Sequence, residues 1–341
     1  TPRVILFVGD GAGVGAWTAA FYEAGRLAVQ RLPVAGLVDT RNVAERVTDS
    51  AAGATVLASG VRTFNGAIGV GPDSLPVRTV LEEAESRGMA TGLVATSSIT
   101  HATPAAFAAH TVSRSAEPEI ARQLAAQEIE VLLGGGRGFF DGTLRPDSAN
   151  LLPELVRRYT YVDSPAALRA LAMDTVDALL GLLAENGTEA APRRGFTLAE
   201  LVDAALRVLD RDPDGFFLMV EGSQIDWREH DHAPVADVIA EVLDLDAAIG
   251  VALDYQARHP ETVIVVTADH ETGGTIPGYD REGRLEAKYT TTGHSGAMVP
   301  LFAGGPGTEA LSGLRRNTEV GEFLLRAVGA AVPAAQRATL P

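Results

Sequence analysis

Residues 4–10 read VILFVGD, and this stretch decides the fold. The continuous apolar run from Val4 to Val8 is typical of a strand that is buried on both faces of a parallel sheet. Asp10 follows the run directly, at the carboxyl end of the predicted strand, where open α/β sheets bind ligands. An aspartate that merely serves a turn explains the same residue without any function. The glycine-rich turn at 9–13 matches only part of a dinucleotide-binding fingerprint, so it is weak support for such a site.

Strand and helix signals alternate along the rest of the chain. Further apolar runs lie at residues 92–96, 131–133, 216–220, 262–267 and 299–303, with helix-like stretches between most of them. This alternation predicts an α/β fold, a three-layer sandwich in which a large, mostly parallel central sheet is flanked by helices on both faces. We expect residues 1–341 to form a single domain with a less regular insert around residues 137–195.

Composition excludes several classes of partner. The 341 residues carry a net charge of -16 and no cysteine. An acidic surface argues against nucleic-acid specificity and against anionic membranes, and no stretch approaches an apolar membrane span. Without thiolates, a transition-metal site has to use histidine, aspartate or glutamate. Because the first residue is Thr1 rather than methionine, we interpret it as a processed start whose signal peptide has been removed, which predicts a periplasmic or extracellular protein.

Residues 47–55, VTDSAAGAT, predict the start of a tightly packed helix. A polar, extended approach ends at Asp49 and Ser50, and a run of small residues follows at 51–60. Ser50 is therefore expected at a helix N-terminus, where unpaired N–H groups and the positive end of the dipole favour an anion or a deprotonated hydroxyl. Asp49 or Ser50 acting only as a helix cap is the simpler interpretation, and it stays open.

Acids, histidines and hydroxyls recur where the predicted strands end. The candidates are Asp10, Ser50, His101, Thr103, Glu221, Asp226, His230, Asp269, His270 and His294. The carboxyl ends of parallel strands share one edge of a sheet, so these side chains are expected to converge. Carboxylates packed together repel one another and need cations; the histidines favour zinc, and the oxygen groups favour magnesium. Each residue alone is also explained as a cap, a turn or a satisfied polar group.

Two histidines compete for one place in this cluster. His230 lies four residues after Asp226, so the two side chains point the same way on a helical turn. His232 lies six residues after Asp226. The helical spacing favours His230.

The motifs taken together resemble the alkaline phosphatase family. The matching blocks are GDG at 9–11, TDSAA at 48–52, HATP at 101–104, VEG at 220–222 with Asp226 and His230, TADH at 267–270 and GH at 293–294. They run in the order of the family from residue 4 to about residue 303. The resemblance implies hydrolysis of phosphate monoesters to an alcohol and inorganic phosphate through a phosphoserine on Ser50.

The resemblance also implies a site with two zinc ions and one magnesium ion per chain. One zinc would be held by Asp226, His230 and His294, the other by Asp10, Asp269 and His270 with Ser50 beside it, and magnesium by Asp10, Thr103 and Glu221. Arg114, which taken alone reads as a solvated surface residue, would clamp two phosphoryl oxygens with its planar fork. Asp49 and Trp227 would support the site without binding metal.

Two departures from the best-known bacterial branch matter. That branch has aspartate and lysine where this chain has His101 and Trp227, and the pairing of histidine with tryptophan resembles a second bacterial group. We hypothesise that His101 supports or replaces a ligand of the third site, which then accepts zinc as well as magnesium. The segment between His270 and His294 is too short for a large crown insertion, which puts the usual homodimer in doubt.

Three other functions deserve comparison. A sulfatase would need a cysteine or serine in a different motif, and the chain has no cysteine. A phosphodiesterase of the same superfamily usually has threonine as nucleophile and lacks the equivalent of Arg114. Against a non-catalytic protein that binds metal or phosphate stands the presence of both Ser50 and Arg114, because binding metal alone requires neither. Phosphate monoesters are therefore the expected substrates.

Overall fold

The computed structural model describes residues 1–332, and within them a ten-stranded sheet forms the centre of the protein. The strands run across the sheet in the order β14-β2-β13-β8-β1-β7-β3-β4-β6-β5. Their bounds are β1 Arg3–Gly9, β2 Val34–Asp39, β3 Ala90–Ser98, β4 Val131–Gly135, β5 Thr160–Val162, β6 Leu179–Leu182, β7 Phe216–Gly222, β8 Thr262–Thr267, β13 Val299–Gly304 and β14 Gly313–Arg316.

The first strand lies in the middle of this sheet, as its apolar run predicts. β1 pairs in parallel with β7 on one side and with β8 on the other. Residues 4–8 are fully buried because helices cover both faces. Among the described strands of the sheet, β13 alone runs antiparallel to its neighbours. The mostly parallel sheet expected from the sequence is therefore confirmed.

Helices form a layer on each face of the sheet. Helices α1, α8 and α10 pack together on one face, and α2, α3, α4 and α11 pack together on the other. The bounds of the described helices are α1 Val14–Ala24, α2 Ser50–Ser59, α3 Val80–Glu85, α4 Ala102–Ala108, α5 Glu117–Ala126, α6 Leu152–Arg158, α7 Pro165–Arg169, α8 Leu198–Leu209, α9 Gln224–His230, α10 Val235–Gln256 and α11 Asn317–Ala327. This is the three-layer α/β architecture that the alternating pattern predicts. No helix in this described part of the chain has the length and apolar composition of a membrane span.

The stretch 137–195, expected to be less regular, contributes to the central sheet. Its strands β5 and β6 pair in parallel with each other, and β6 pairs with β4. The two strands therefore extend the sheet to its far edge.

The connection between His270 and His294 is short and forms two small pairs of strands. The first pair joins β9, Glu271–Thr272, to β12, His294–Ser295. The second is a hairpin of β10, Ile276–Tyr279, and β11, Leu285–Lys288. The first pair places His294 beside the segment that follows His270, at the carboxyl edge of the sheet.

Candidate active site

The candidate site lies over four adjacent strands in the middle of the sheet. In the order β8-β1-β7-β3, each strand delivers polar residues at its carboxyl end. Asp269 and His270 follow β8, Asp10 follows β1, Glu221 lies near the end of β7, and His101 follows β3. The carboxyl ends of parallel strands meet at one edge, so the fold itself brings these residues together.

Ser50 is the first residue of α2, and Asp49 is the cap of that helix. The Asp49 carboxylate accepts a hydrogen bond from the N–H of Ala52 at 3.0 Å, so the capping interpretation holds for Asp49. Ser50 is buried, and its hydroxyl lies 3.1 Å from Nε2 of His270 and 3.5 Å from Oδ1 of Asp10. The hydroxyl thus points from the helix N-terminus into the acid–histidine cluster.

Gly53 allows α2 to approach the strand ends closely. A Cβ atom at this position would lie 2.9 Å from the backbone oxygen of Asp269. The run of small residues in α2 therefore serves close packing beside the site, as the sequence predicts.

Three groups of acids and histidines have ligand atoms within 4.8 Å of one another. They are Asp226 with His230 and His294, Asp10 with Asp269 and His270, and Asp10 with His101 and Glu221. The first two groups contain the residues that the resemblance assigns to the two zinc ions. Asp10 belongs to two groups, which suits a carboxylate with two oxygens.

The first group is oriented by backbone carbonyls. Nδ1–H of His230 donates to the carbonyl of Thr292 at 2.6 Å, and Nδ1–H of His294 donates to that of Thr48 at 2.9 Å. The two Nε2 atoms therefore face each other, 3.2 Å apart, with Oδ1 of Asp226 at 3.2 Å and 3.5 Å. Fixing the outer nitrogen of a histidine in this way is characteristic of metal ligands.

The pKa values within this group reflect the close pairing. The hydrogen bond to Asp226 raises the pKa of His230 to about 9. Burial raises the pKa of Asp226, but hydrogen bonds and positive charge from the histidines overcome it, and the net shift is downward. The group is therefore arranged to keep a carboxylate ionised beside a positive charge.

The other two groups carry an excess of buried carboxylates. Burial raises the pKa of Asp10 well above its ordinary value, and the charges of Asp269 and Asp226 raise it further. Burial likewise raises the pKa of Glu221 to about 7, although hydrogen bonds from Ser223 and Ser97 oppose the shift. A cation would relieve this repulsion and allow the carboxylates to ionise.

Buried polar atoms without partners support the same conclusion. Five such atoms at the site have no hydrogen-bond partner within residues 1–332: Asp10 Oδ2, His101 Nδ1, Thr103 Oγ1, Glu221 Oε1 and Asp269 Oδ2. Buried polar groups are rarely left unsatisfied, so their concentration here calls for a ligand. Carboxylate, hydroxyl and imidazole donors fit magnesium and zinc, so the residues present fit the metals that the resemblance implies.

His101 sits between this cluster and two larger side chains. Burial and the nearby Arg114 lower the pKa of His101 to about 4, so the ring is neutral. Its Nε2 accepts a hydrogen bond from Arg114 at 3.4 Å. The Trp227 ring packs edge-on against it, with the ring centroids 5.9 Å apart. Trp227 thus contacts His101, a member of the third group.

Arg114 lies at the mouth of the site, and its guanidinium is only partly exposed. Nη1 donates to Oδ2 of Asp49 at 3.2 Å. The same oxygen accepts the N–H of Gly66 at 3.0 Å. Asp49 therefore caps α2 with one oxygen and holds Arg114 with the other.

His232 is not part of any of the three groups. Its Nε2–H donates to the carbonyl of Thr291 at 2.8 Å, and its ring stacks on Tyr289 with centroids 4.8 Å apart. His230 is therefore the histidine of this pair that the helix turns towards Asp226.

Sequence reasoning missed several hydroxyl groups around the cluster. Thr272 donates to Asp226, and Ser97 and Ser223 donate to the same oxygen of Glu221 at 3.1 Å and 2.6 Å. Side chains two residues apart on an extended chain point to the same side, so the spacing of His270 and Thr272 could have predicted that Thr272 faces the site. Ser97 gives no such signal, because its contact crosses between strands.

Comparisons with known proteins agree with this geometry. A sequence model of the alkaline phosphatase family matches residues 2–288. Alkaline phosphatase 3 of Bacillus subtilis is 38% identical over 302 residues, which cover 82% of this chain and 63% of that protein. The matched part of this chain thus spans less than two thirds of that relative.

Solved structures match over nearly the whole chain. The alkaline phosphatase of the Antarctic bacterium TAB5 has a TM-score of 0.90 and 36% identity, over 97% of this chain and 99% of that one. A variant of that enzyme with one histidine replaced by aspartate, solved with Mg bound in its M3 site, has a TM-score of 0.89 and 35% identity with the same coverage. The chain belongs to the alkaline phosphatase family.

Proposed function

We propose that this chain hydrolyses phosphate monoesters to an alcohol and inorganic phosphate, with Ser50 as the nucleophile. The observation that carries the proposal is the buried Ser50 hydroxyl, 3.1 Å from His270 at a helix N-terminus. It points into groups of acids and histidines that suit metal ions. Binding a metal alone would require neither this serine nor Arg114.

The residues would hold two zinc ions and one magnesium ion. The proposed ligands are Asp226, His230 and His294 for one zinc, Asp10, Asp269 and His270 for the other, and Asp10, Thr103 and Glu221 for magnesium. His101 lies close enough to Asp10 and Glu221 to support the third site, which would then also accept zinc. When bound, such ions lower the pKa of hydroxyl groups and water and polarise phosphoryl oxygens.

Ser50 supplies the covalent step. Attack of its oxygen on phosphorus breaks the bond to the alcohol and leaves the phosphoryl group on the serine. The serine proton ends on the departing alcohol. Attack by water then releases inorganic phosphate and restores the hydroxyl. The positive end of the α2 dipole favours the negative charge that develops beside it.

Arg114 supplies recognition. Its planar fork matches two phosphoryl oxygens, and the guanidinium is held by Asp49 through Nη1 and by His101 through Nη2. A monoester offers one more charged oxygen than a diester, so this arrangement favours monoesters. Recognition that ends at the phosphate leaves the alcohol unselected.

We propose that the chain acts as one catalytic domain, because the site draws on residues from Asp10 to His294. A crown insertion has no place in the short connection before His294. The missing crown insertion argues against the usual homodimer. One observation favours a homodimer: α1 and the β10–β11 hairpin expose apolar side chains, namely Phe21, Tyr22, Ile276 and Tyr279. Light scattering would measure the oligomeric state. A location outside the cytoplasm is a separate prediction from the sequence.

Hydrolysis of p-nitrophenyl phosphate at alkaline pH tests the proposed activity. We expect activity to be lost on chelation and restored by zinc and magnesium together. Ser50→Ala should reduce kcat by at least roughly 10³-fold, and Ser86→Ala, at an exposed position directly after α3, should not change it. Acid quenching with labelled phosphate should leave label on Ser50 and none on the Ser50→Ala variant.

Other outcomes would favour the alternatives. Faster hydrolysis of bis-p-nitrophenyl phosphate than of the monoester would indicate a phosphodiesterase. Phosphate binding without turnover in the fully metal-loaded protein would indicate a binding protein. Arg114→Ala should weaken inhibition by inorganic phosphate about 10- to 100-fold, since two charge-assisted hydrogen bonds are lost. Arg157→Ala, at an exposed position on α6, is the matched control.

A further inference from the structure

Arg114 is held in place by a short antiparallel ladder. Ile68 and Thr111 exchange two backbone hydrogen bonds, at 2.8 Å and 2.9 Å. The backbone N–H of Arg114 donates to the carbonyl of Gly66 at 2.8 Å. Gly66 in turn donates to the Asp49 carboxylate that holds the Arg114 guanidinium. Movement of the segment 66–69 would therefore displace both ends of the arginine.

His110 closes the other end of this ladder. Its Nδ1 lies 2.5 Å from the carbonyl oxygen of Gly69, and its Nε2 lies 2.7 Å from Oε1 of Glu82 on α3. Gly69 has a φ of +57°, and a Cβ atom there would lie 2.1 Å from the carbonyl oxygen of Ala109. Glycine at this position is what lets the two segments come so close.

Both neighbours of the His110 ring are hydrogen-bond acceptors. A neutral imidazole has one N–H, so it satisfies only one of them and turns a lone pair towards the other. The imidazolium has two N–H groups and satisfies both. The hydrogen bond to Glu82 accordingly raises the pKa of His110 above its ordinary value.

The charged groups that surround the His110 ring lie on α3 and directly before it. Glu82 on α3 faces the ring directly, and Glu85 lines the same surface pocket. Arg78, which precedes α3, also lines this pocket but is paired with Glu83 at 2.8 Å. On α5, Gln123 binds the backbone N–H and carbonyl of His110, at 2.7 Å and 3.2 Å, without adding charge.

We propose that His110 is a positioning residue for Arg114, acting through the ladder of segments 66–69 and 110–114, and effective only while its ring is protonated. The proposal rests on the proposed function, because it assumes that Arg114 binds the phosphoryl group. Loss of the His110 proton releases either Gly69 or Glu82 and loosens the ladder. The affinity for phosphate then falls as the pH rises through the His110 pKa.

The test is the inhibition constant for inorganic phosphate, measured from about pH 6 to about pH 10 on fully metal-loaded enzyme. The ratio of wild type to His110→Gln cancels all titrations that the two proteins share. We expect this ratio to favour the wild type about three- to tenfold at low pH and to approach unity at high pH. His259→Gln, which lies between α10 and the start of β8, should give a ratio of wild type to variant that does not change with pH.

Glu82→Gln keeps an acceptor but removes the charge that stabilises the imidazolium. The pH at which the affinity for phosphate falls should therefore move to a lower value. If His110→Gln does not fold, Glu82→Gln tests the proposal in its place. In the Arg114→Ala background, His110→Gln should cause no further loss of phosphate affinity, since the group that it positions is absent.

The outcomes separate this proposal from the proposed function. If Arg114→Ala weakens phosphate binding while His110→Gln follows the wild-type profile at every pH, His110 has no positioning role and the function stands. Additive losses in the double variant would overturn the proposal in the same way. If Arg114→Ala leaves phosphate binding unchanged, the assumed role of Arg114 is wrong and the positioning role of His110 falls with it, whereas hydrolysis through Ser50 is decided separately by the Ser50→Ala variant.

Discussion

Asp10 shows how the ends of neighbouring strands become a site. Its N–H donates to the carbonyl of Gly222 at 3.1 Å, and its carbonyl accepts the N–H of Asp226 at 3.0 Å. The turn after β1 is thereby fixed to β7 and α9. One carboxylate oxygen lies near Ser50 and His270, and the other has no hydrogen-bond partner in residues 1–332. Because its backbone is held on both sides, one side chain can serve two groups.

A carboxylate away from the site gives a prediction on pH dependence. Burial, together with the charge of Glu130, raises the pKa of Glu85 to about 7. An acid whose pKa is higher in the folded chain favours folding at low pH, and this stability is lost as the pH rises from about 4.5 to about 7. Glu85→Gln should therefore raise the free energy of unfolding at about pH 8 by roughly 1 kcal/mol, after allowance for solvent screening.

Urea unfolding at about pH 5 and about pH 8 checks this prediction. At the lower pH the variant and the wild type should be nearly equal. Glu23→Gln, at an exposed position on α1, should have no effect at either pH. An equal gain at both values would mean that the ionisation of Glu85 is not the cause.

Local spacing explains which site residues the sequence could predict. Asp226 and His230 lie four residues apart on one helix, so their proximity follows from local geometry alone. The contacts of Ser97 with Glu221 and of Gly66 with Asp49 join segments far apart in sequence. Serine and glycine are common in loops and strands, so nothing marks these two before the fold is known.

The same contrast holds for the elements. Strands β1, β7 and β8 are long apolar runs, and each was predicted close to its observed bounds. Strands β5 and β6 have only three and four residues. The sequence of β6, LLGL, suits a buried helix as well as a strand, so periodicity does not decide it. Pairing with β4 decides it, and that is a tertiary effect.

The crossing of α11 over α2 gives a prediction at the scale of elements. A Cβ atom at Gly321 on α11 would lie 2.3 Å from the carbonyl oxygen of Val56 on α2. Gly321→Ala therefore forces the helices apart, and overpacking should cost about 1–3 kcal/mol of unfolding free energy despite the better helix propensity of alanine. Gly250→Ala on α10 is the matched control, because its Cβ would meet only Ala28, at 3.6 Å.

Urea unfolding of the metal-loaded variants measures both effects. Gly250→Ala should stabilise the protein by up to about 1 kcal/mol. Since α2 carries Ser50 at its other end, Gly321→Ala should also lower kcat. A Gly321→Ala protein as stable as the wild type would show that α11 can shift without cost.

At the scale of the whole molecule, this acidic protein buries several of its carboxylates within one site. The net charge is -16, and Asp10, Glu221, Asp226 and Asp269 are all buried within one site. Arg114 is at the rim and is already paired with Asp49. The carboxyl ends of the four central strands thus bring together carboxylates that repel one another unless cations are bound.

Metal removal should therefore destabilise the whole sheet in addition to abolishing the proposed activity. Ligands that bind only the folded chain add about 4 kcal/mol at a thousand times their Kd, so chelation should lower Tm by roughly 5–15 °C. Calorimetry before and after chelation, with metal content measured in parallel, checks this. Asp226→Asn removes a proposed ligand and should show a smaller drop on chelation. An unchanged Tm after complete metal loss would mean that the four strand ends are stable without cations, and that the unpaired buried oxygens there are satisfied in another way.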